Sequence, residues 1–202
     1  MPRAVTAVEA GSMDQDRVDV VHLGGTLVLI LADGAGGRAG GTEAADGVIR
    51  QVREAASDLV LGRVDPVALL TRIDRELARD SRVGEATAVL ALLDGGEVRG
   101  ASVGDSGAWL VSEQGVVDLT DRQVRKPLVG SGAAVPVGFA GALEERRLLL
   151  ASDGLLKYAG RGKLQAAALS GPLEHASRTL IEAVRLPSGG LPDDVAVILG
   201  VG

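Results

Sequence analysis

The sequence predicts an α+β sandwich whose sheets are mainly antiparallel. Three observations point there. Short apolar strands open the chain, two helical stretches follow, and strands then resume. The later strands are joined mostly by short turn signals, the connection that antiparallel neighbours use. The run TLVLILA (26–32) is apolar without interruption, as a strand covered on both faces is. With 202 residues the chain has the length of one domain and enough of it to bury a real core.

Residues 4–8 and 18–23 alternate or run apolar and read as strands. TLVLILA follows and stops at Asp33-Gly34. Val48, Val52, Ala55 and Leu59 recur at helical spacing, with Ile49, Ala56 and Val60 beside them. Asp65-Pro66 supplies an N-cap and a first-turn proline, and Leu70, Ile73 and Leu77 form the stripe of a second helix. ATAVLALL (86–93) meets EVRGASV (97–103) across Asp94-Gly95-Gly96, a hairpin signal. Residues 108–112 and 116–119 make another across Gln114-Gly115. ERRLLLA (145–151, from Glu145) is a later strand, Leu173, Ala176, Leu180 and Val184 mark a helix, and 195–201 is the last strand. No repeat, low-complexity tail or long linker divides the chain, so residues 1–202 read as a single domain.

Composition excludes several function classes. A net charge of -6 argues against a nucleic-acid binder, which needs a basic stripe to displace counterions. Trp109, Phe139 and Tyr158 are the only aromatic residues, too few for base-stacking platforms or aromatic cages. The absence of cysteine removes disulfides, thiolate zinc sites and cysteine nucleophiles together. His22 and His175 are the only imidazoles, so one chain cannot build a three-histidine zinc site. Carboxylates are plentiful, and metal chemistry here would call for hard, oxygen-loving ions such as Mg2+ or Mn2+. The apolar start stops at Glu9 before a signal-peptide core forms. The longest charge-free apolar stretch, 23–32, is short of the ~20 residues that cross a bilayer. The expectation is a cytoplasmic protein with neither a membrane nor a nucleic-acid partner. The preference for arginine over lysine, with heavy use of Ala, Gly and Val, is that of a GC-rich bacterial genome.

One pattern recurs five times: an aspartate flanks an apolar strand, often beside glycine. Asp16 precedes RVDVVHL, Asp33 follows TLVLILA, Asp105 follows GASVG, Asp153 follows LLLAS, and Asp193 precedes VAVILGV. An aspartate at a strand end carries a short side chain on a fixed backbone, and glycine beside it lets a ligand approach. Converging carboxylates repel one another, and a divalent ion offsets that repulsion. Any one Asp-Gly alone reads as a turn, as at Asp94-Gly95; the ordered set carries the argument.

That set resembles the PPM family, the metal-dependent protein serine/threonine phosphatases of type 2C. LADGAGGRAGGTEAA (31–45) looks like its D-G-x-G-G motif, and SVGDSGAWLVSEQGVVDLT (102–120) resembles its G-D-S strand pair and the L-T that follows. LLLASDGL (148–155) is similar to its S-D-G, PDDVAVILGV (192–201) to its terminal strand, and MDQDRVDV (13–20) to its N-[EQ]-D element. The resemblance implies a four-layer α-β-β-α sandwich, two mainly antiparallel sheets flanked by helices, with a two-metal centre for Mn2+ or Mg2+ at one end. Carried over, Asp33 would bridge both ions and Gly34 would offer its carbonyl. Asp153 and Asp193 would hold one ion and Asp16 the other side. Asp105 would sit where bacterial members often bind a third ion. Asp33 and Asp153 would be the catalytic pair. The ions would make water nucleophilic at neutral pH, and that water would attack phosphorus in line. Phosphorylated proteins would be the substrates, a serine/threonine kinase or its targets among them.

Three departures stand out. Gly11 occupies the position where the family usually carries a phosphate-gripping arginine, which Arg17 or Arg38 could replace. Gly107 stands where arginine commonly follows G-D-S. The segment between Leu119 and Phe139, with KPLVGSGAAVPVG (126–138), leaves room only for a loop, so the flap region at about 120–138 is short. The chain resembles the compact bacterial stress and sporulation phosphatases in size. A catalytically weak or silent regulatory module of the same fold is the alternative function. GASVG (100–104) also fits the serine-hydrolase elbow at Ser102, with Asp153 and His175 in the right chain order, but a strand and not a helix follows it. GAGGRAGG (34–41) lies between a strand and a helix but lacks the spacing and the lysine of nucleotide loops. Arg146-Arg147 and Arg50 with Arg53 read as solvated faces.

Overall fold

The computed structural model describes residues 1–11, 13–35 and 40–202. Strands β1 (Arg3–Glu9), β2 (Asp16–Leu23) and β3 (Thr26–Asp33) come first, then helices α1 (Gly41–Val60) and α2 (Pro66–Leu77). Strands β4 (Ala88–Asp94), β5 (Glu97–Val103), β6 (Gly107–Ser112), β7 (Gly115–Asp118), β8 (Val137–Ala142) and β9 (Arg147–Ala151) follow. Helices α3 (Asp153–Leu156), α4 (Arg161–Ala168) and α5 (Leu173–Glu182) precede the last strand, β10 (Val195–Val201). One five-stranded sheet runs β1-β10-β9-β6-β7 and the other β2-β3-β4-β5-β8. Every neighbouring pair is antiparallel.

Period-two alternation explains the layering. Val28, Ile30 and Ala32 of β3 face α1 and α2, packing with Val48, Val52, Leu70 and Ile73. Leu27, Leu29 and Leu31 face the second sheet, packing with Leu110, Leu148, Leu150 and Ile198. On that sheet's far side, Val195, Val197 and Leu199 meet Leu164, Ala176 and Leu180 of α4 and α5. The result is the expected helix–sheet–sheet–helix sandwich. Each fully buried leucine or isoleucine contributes about 1.5–3 kcal/mol. That two-sided burial is why residues 27–32 include no polar side chain.

Local signals act as their chemistry requires. Asp65 accepts hydrogen bonds from the Val67 and Ala68 N–H groups at 2.9 and 3.2 Å and caps α2, with Pro66 in its first turn. The Asp94-Gly95-Gly96 hairpin pairs Asp94 with Glu97.

Four elements depart from the sequence reading. Strand β8 emerges at the end of the stretch read as loop, pairing its Phe139 with Gly100 of β5. Helices α3 and α4 were not foreseen. Residues 86–87 lie outside β4 because Ala86 instead bridges Gly34 on one side and Val129 on the other. Arg146, Arg147 and Arg53, read as solvated, also have partners. Arg147 donates to the Ala168 and Gly171 carbonyls at 2.9 and 2.7 Å, tying β9 to the end of α4. Arg53 pairs with Asp19 across α1 and β2. Among the described residues no helix is long and apolar enough to cross a membrane.

Candidate active site

The sheet register gathers the predicted acids at one end of the sandwich. Asp16 opens β2, Asp33 closes β3, and the two are directly paired across the strands. The backbone of Asp33 is fixed from the other side: the Thr87 N–H donates to its carbonyl at 2.8 Å and its own N–H reaches Thr87 Oγ1 at 3.3 Å. Thr87 Oγ1 is 2.6 Å from Ser106 Oγ, which links β3 to the loop carrying Asp105. Gly34 fits tightly against the start of α1, where a Cβ would stand 2.6 Å from the Gly41 carbonyl oxygen.

Asp153 is placed by its neighbour. Ser152 Oγ accepts from the Ala196 N–H at 2.9 Å, and the Ser152 N–H donates to the Ala196 carbonyl at 3.0 Å. That double bond to β10 sets Asp153 at the start of α3. Gly154 is obligatory there, since a Cβ would come within 1.9 Å of the Asp194 carbonyl oxygen.

Asp193 and Asp194 divide their work. Asp194 is buried, and its Oδ1 accepts from the Gly11 and Met13 N–H groups at 2.7 and 3.3 Å, its Oδ2 from Gln15 N–H at 2.8 Å. It clamps the chain entering β2 and so positions Asp16. The half-buried Asp193 stays beside the acids, accepting only the Asp194 N–H at 3.0 Å among the described bonds. The clamp was missed at the sequence level; its signal was the tandem of two aspartates, one of which does the backbone work that Asx side chains favour.

The electrostatics are those of crowded carboxylates. Asp16 is 3% exposed. Burial first, with the charges of Asp194 and Asp153, pushes its pKa up to about 6, against the pull of Ser152 and Asp33. Burial and the charges of Asp16, Asp153 and Asp105 push Asp33 up to about 9. Asp153 is also raised, mainly by burial, while Lys157 works the other way from 3.1 Å. Asp194 moves in the opposite direction: burial alone would raise it, but its backbone N–H donors hold it below the usual value. Asp105 pairs with Arg125 at 2.9 Å.

Neither Gly11 nor Arg17 supplies a phosphate grip. At Gly11 a Cβ would sit 2.4 Å from the Asp193 backbone, so no side chain fits. Arg17 is engaged with Asp46 at 2.8 Å and with the Asp14 and Asp16 carbonyls at 2.9 Å. Arg38 and the middle of the glycine-rich loop (36–39) lie outside the described residues. Ser102 sits inside β5, 1% exposed, with its hydroxyl on Gln123 Oε1 at 3.2 Å, and strand β6 follows; the elbow reading fails on both counts. Asp74 of α2, also unforeseen, accepts from the Gly130, Gly132 and Ala134 N–H groups at 2.9, 2.9 and 3.1 Å and fixes the short loop before β8.

Do these residues suit a divalent cation? Asp16 Oδ2 is buried with no hydrogen-bond partner among the described residues, an orphaned acceptor of the kind a cation satisfies. Burial and the charges of Asp16, Asp153 and Asp105 raise the pKa of Asp33 opposite it, and a cation would offset those charges. Among the described residues no three Asp, Glu or His side chains close into a cage of their own. Mg2+ is ordinarily held by one or two carboxylates, with water and phosphate completing its shell. The donor set fits in kind and number on those terms, as an open site.

The architecture has close relatives among solved structures. A bacterial serine phosphatase carrying a point mutation superposes with a TM-score of 0.85 at 21% identity, over 100% of this chain and 99% of that one. The serine/threonine phosphatase Stp1 from Staphylococcus aureus gives 0.83 at 20%, over 100% and 95%. A structure described as the bacterial stressosome, a modular system adapted to control secondary messenger signaling, gives 0.76 at 22%, over 100% of both chains. A search of the curated proteins found no match. The model of the family described as stage II sporulation protein E (SpoIIE) matches residues 24–200, from the turn before β3 into β10. The chain therefore belongs to the SpoIIE family, of the PPM phosphatase type.

Proposed function

We propose that this chain hydrolyses phosphoserine and phosphothreonine in proteins, using Mn2+ or Mg2+ held by Asp33 with Asp16 on one side and Asp153 and Asp193 on the other. The Gly34 carbonyl and, for a third ion, Asp105 complete the proposed set. The observation that carries the reading is the Asp16–Asp33 pair, directly opposed across two strands, with an orphaned oxygen on Asp16 and an Asp33 carboxyl whose hold on its proton is raised by burial and neighbouring charge. Bound ions would make water nucleophilic and offset charge on the phosphoryl oxygens. The protein's part is placement. Asp33 is held rigid by Thr87, Asp153 by Ser152, and Asp16 by the Asp194 clamp. No protein nucleophile is needed, in keeping with a chain that has no cysteine. A cytoplasmic setting, with a phosphorylated kinase or kinase target as substrate, completes the proposal.

The test is hydrolysis of an aryl phosphate and of a phosphoserine peptide with Mn2+, with EDTA, and by Asp33→Ala. Turnover that needs Mn2+ and is lost in the variant supports the reading. Turnover that survives both EDTA and the substitution overturns it.

One observation favours a second reading. Gly11 has no space for a phosphate-gripping side chain, and Arg17 is committed to Asp46. The chain could then serve as a silent regulatory module within a larger assembly, as the stressosome relative's description would suit. Such a module takes up Mn2+ and turns over nothing.

A further inference from the structure

Trp109 sits on β6 with 7% of its surface exposed, and its indole N–H has no acceptor among the described residues. A buried donor left without a partner is uncommon and calls for an explanation. The ring is held in place: the Arg161 guanidinium lies over it at 5.1 Å and is itself 3.7 Å from Asp118. A pocket of about 220 Å³ opens beside it, bordered by Asp105, Gly107, Thr120, Arg125 and Leu156. Gly107 keeps that space clear. A Cβ there would stand 2.9 Å from Leu156 Cδ1, 3.3 Å from Thr120 Oγ1 and 3.5 Å from Trp109 Nε1. The Thr120 hydroxyl is already engaged, donating to Asp118 Oδ1 at 2.7 Å and accepting the Ala108 N–H at 3.3 Å.

We propose that this pocket receives the polypeptide of the substrate beside its phosphoresidue, with a backbone carbonyl of that polypeptide accepting the Trp109 indole N–H. The inference rests on the phosphatase reading above and names the part of the substrate that reading leaves unplaced. Three features select a peptide carbonyl. The indole is a neutral, donor-only group, matched to a neutral acceptor. Asp105 and Asp118 border the site, and Arg125 is committed to Asp105 at 2.9 Å, so an anion finds no free charge there. Asp105 also stands within electrostatic reach of Asp33 and Asp153, so a phosphoresidue at those acids brings its own backbone to the pocket. Leu156 Cδ1 and Trp109 Nε1 flank the same space, 2.9 and 3.5 Å from where a Gly107 Cβ would stand, and rotation of the leucine side chain would widen the approach to the N–H. The short loop before β8 leaves this pocket to do the recognition that a longer flap would do.

Trp109 is the only tryptophan in the chain, so its emission reports on the pocket directly. A phosphonate peptide, in which a methylene replaces the ester oxygen and blocks hydrolysis, is titrated into the full chain with Mg2+. The expected result is a saturable emission change that inorganic phosphate does not produce. Gly107→Ala, which fills the space, weakens that binding about tenfold, the worth of one well-made hydrogen bond. Trp109→Phe lowers the ratio of kcat/KM for a phosphoserine peptide to kcat/KM for an aryl phosphate by a similar factor. Circular dichroism confirms that both variants are folded, and the ratio is insensitive to a general loss of activity. An emission unmoved by the peptide, an equal change with inorganic phosphate, or an unchanged ratio overturns the proposal. Failure of the wild type to hydrolyse either substrate overturns the phosphatase reading instead, and the emission titration then decides the pocket alone.

Discussion

Asp16 and Asp33 face one another across β2 and β3, Asp16 buried and Asp33 half-buried. Folding forces them together, so in the metal-free protein Asp33 takes up a proton that the unfolded chain releases near its ordinary pKa of 3.8. Stability therefore falls as pH rises from about 4 towards 9. Asp33→Asn removes the repulsion. In EDTA at pH 8 the variant is expected to be more stable than wild type by at least about 1 kcal/mol, read by urea denaturation. A variant less stable than wild type contradicts the crowding described here.

The Asp194 clamp predicts the opposite sign. Asp194→Ala strips acceptors from the Gly11, Met13 and Gln15 N–H groups at once. Buried donors left unpaired cost about 1–3 kcal/mol each, less where water reaches them. A loss of about 2–4 kcal/mol in urea denaturation is expected, with activity falling alongside because Asp16 loses its support. A loss under about 0.5 kcal/mol, within the range of a neutral surface change, shows the clamp to be dispensable.

Gly11→Arg looks like a repair of the phosphate grip and is expected to act as damage. Its Cβ would stand 2.4 Å from the Asp193 backbone, which cannot move without carrying Asp193 away from Asp153. The expected outcome is a destabilisation of at least about 2 kcal/mol and no gain in KM for an aryl phosphate. A folded variant with a lowered KM contradicts the close approach.

Arg185 joins β1 to α5, donating to both Glu9 oxygens at 2.8 Å and to Glu182. Hydrogen bonding to Arg185 is the largest effect on Glu9 and Glu182 and holds both carboxyls below their ordinary 4.5. Groups so lowered stabilise the fold above that value and stop doing so as pH falls through their folded pKa. Glu9→Gln is expected to flatten the acid limb of a pH–stability curve below about pH 4.5. The cost at pH 7 should be under about 1 kcal/mol, because the pair is solvated. An unchanged acid limb contradicts the assignment.

Much of this was legible in the residues, and the exceptions have physical causes. TLVLILA announced a strand buried on both faces because its six consecutive apolar residues, 27–32, are of strand length and end at Asp33-Gly34. The five aspartates at strand ends were visible because strand and turn signals bracket each one. Strand β8 (VGFAGA) was not, since it lies at a sheet edge with every second residue exposed and carries glycine and alanine where β-formers would signal it. Helix α4 buries only Leu164, Ala167 and Ala168, too thin a stripe to read. The roles of Asp194 and Asp74 were not read, because only the fold brings distant backbone N–H groups to them. Gly11 read as a missing arginine, and the structure adds the reason: the Asp193 backbone occupies the space.

The most direct measurement is a calorimetric titration of Mn2+ into the EDTA-stripped, exchanged protein, beside the same titration of Asp33→Asn. Saturable binding by the wild type, weakened at least about tenfold in the variant, is the predicted result. Equal binding by the two proteins, or none by either, would contradict a cation held between Asp16 and Asp33.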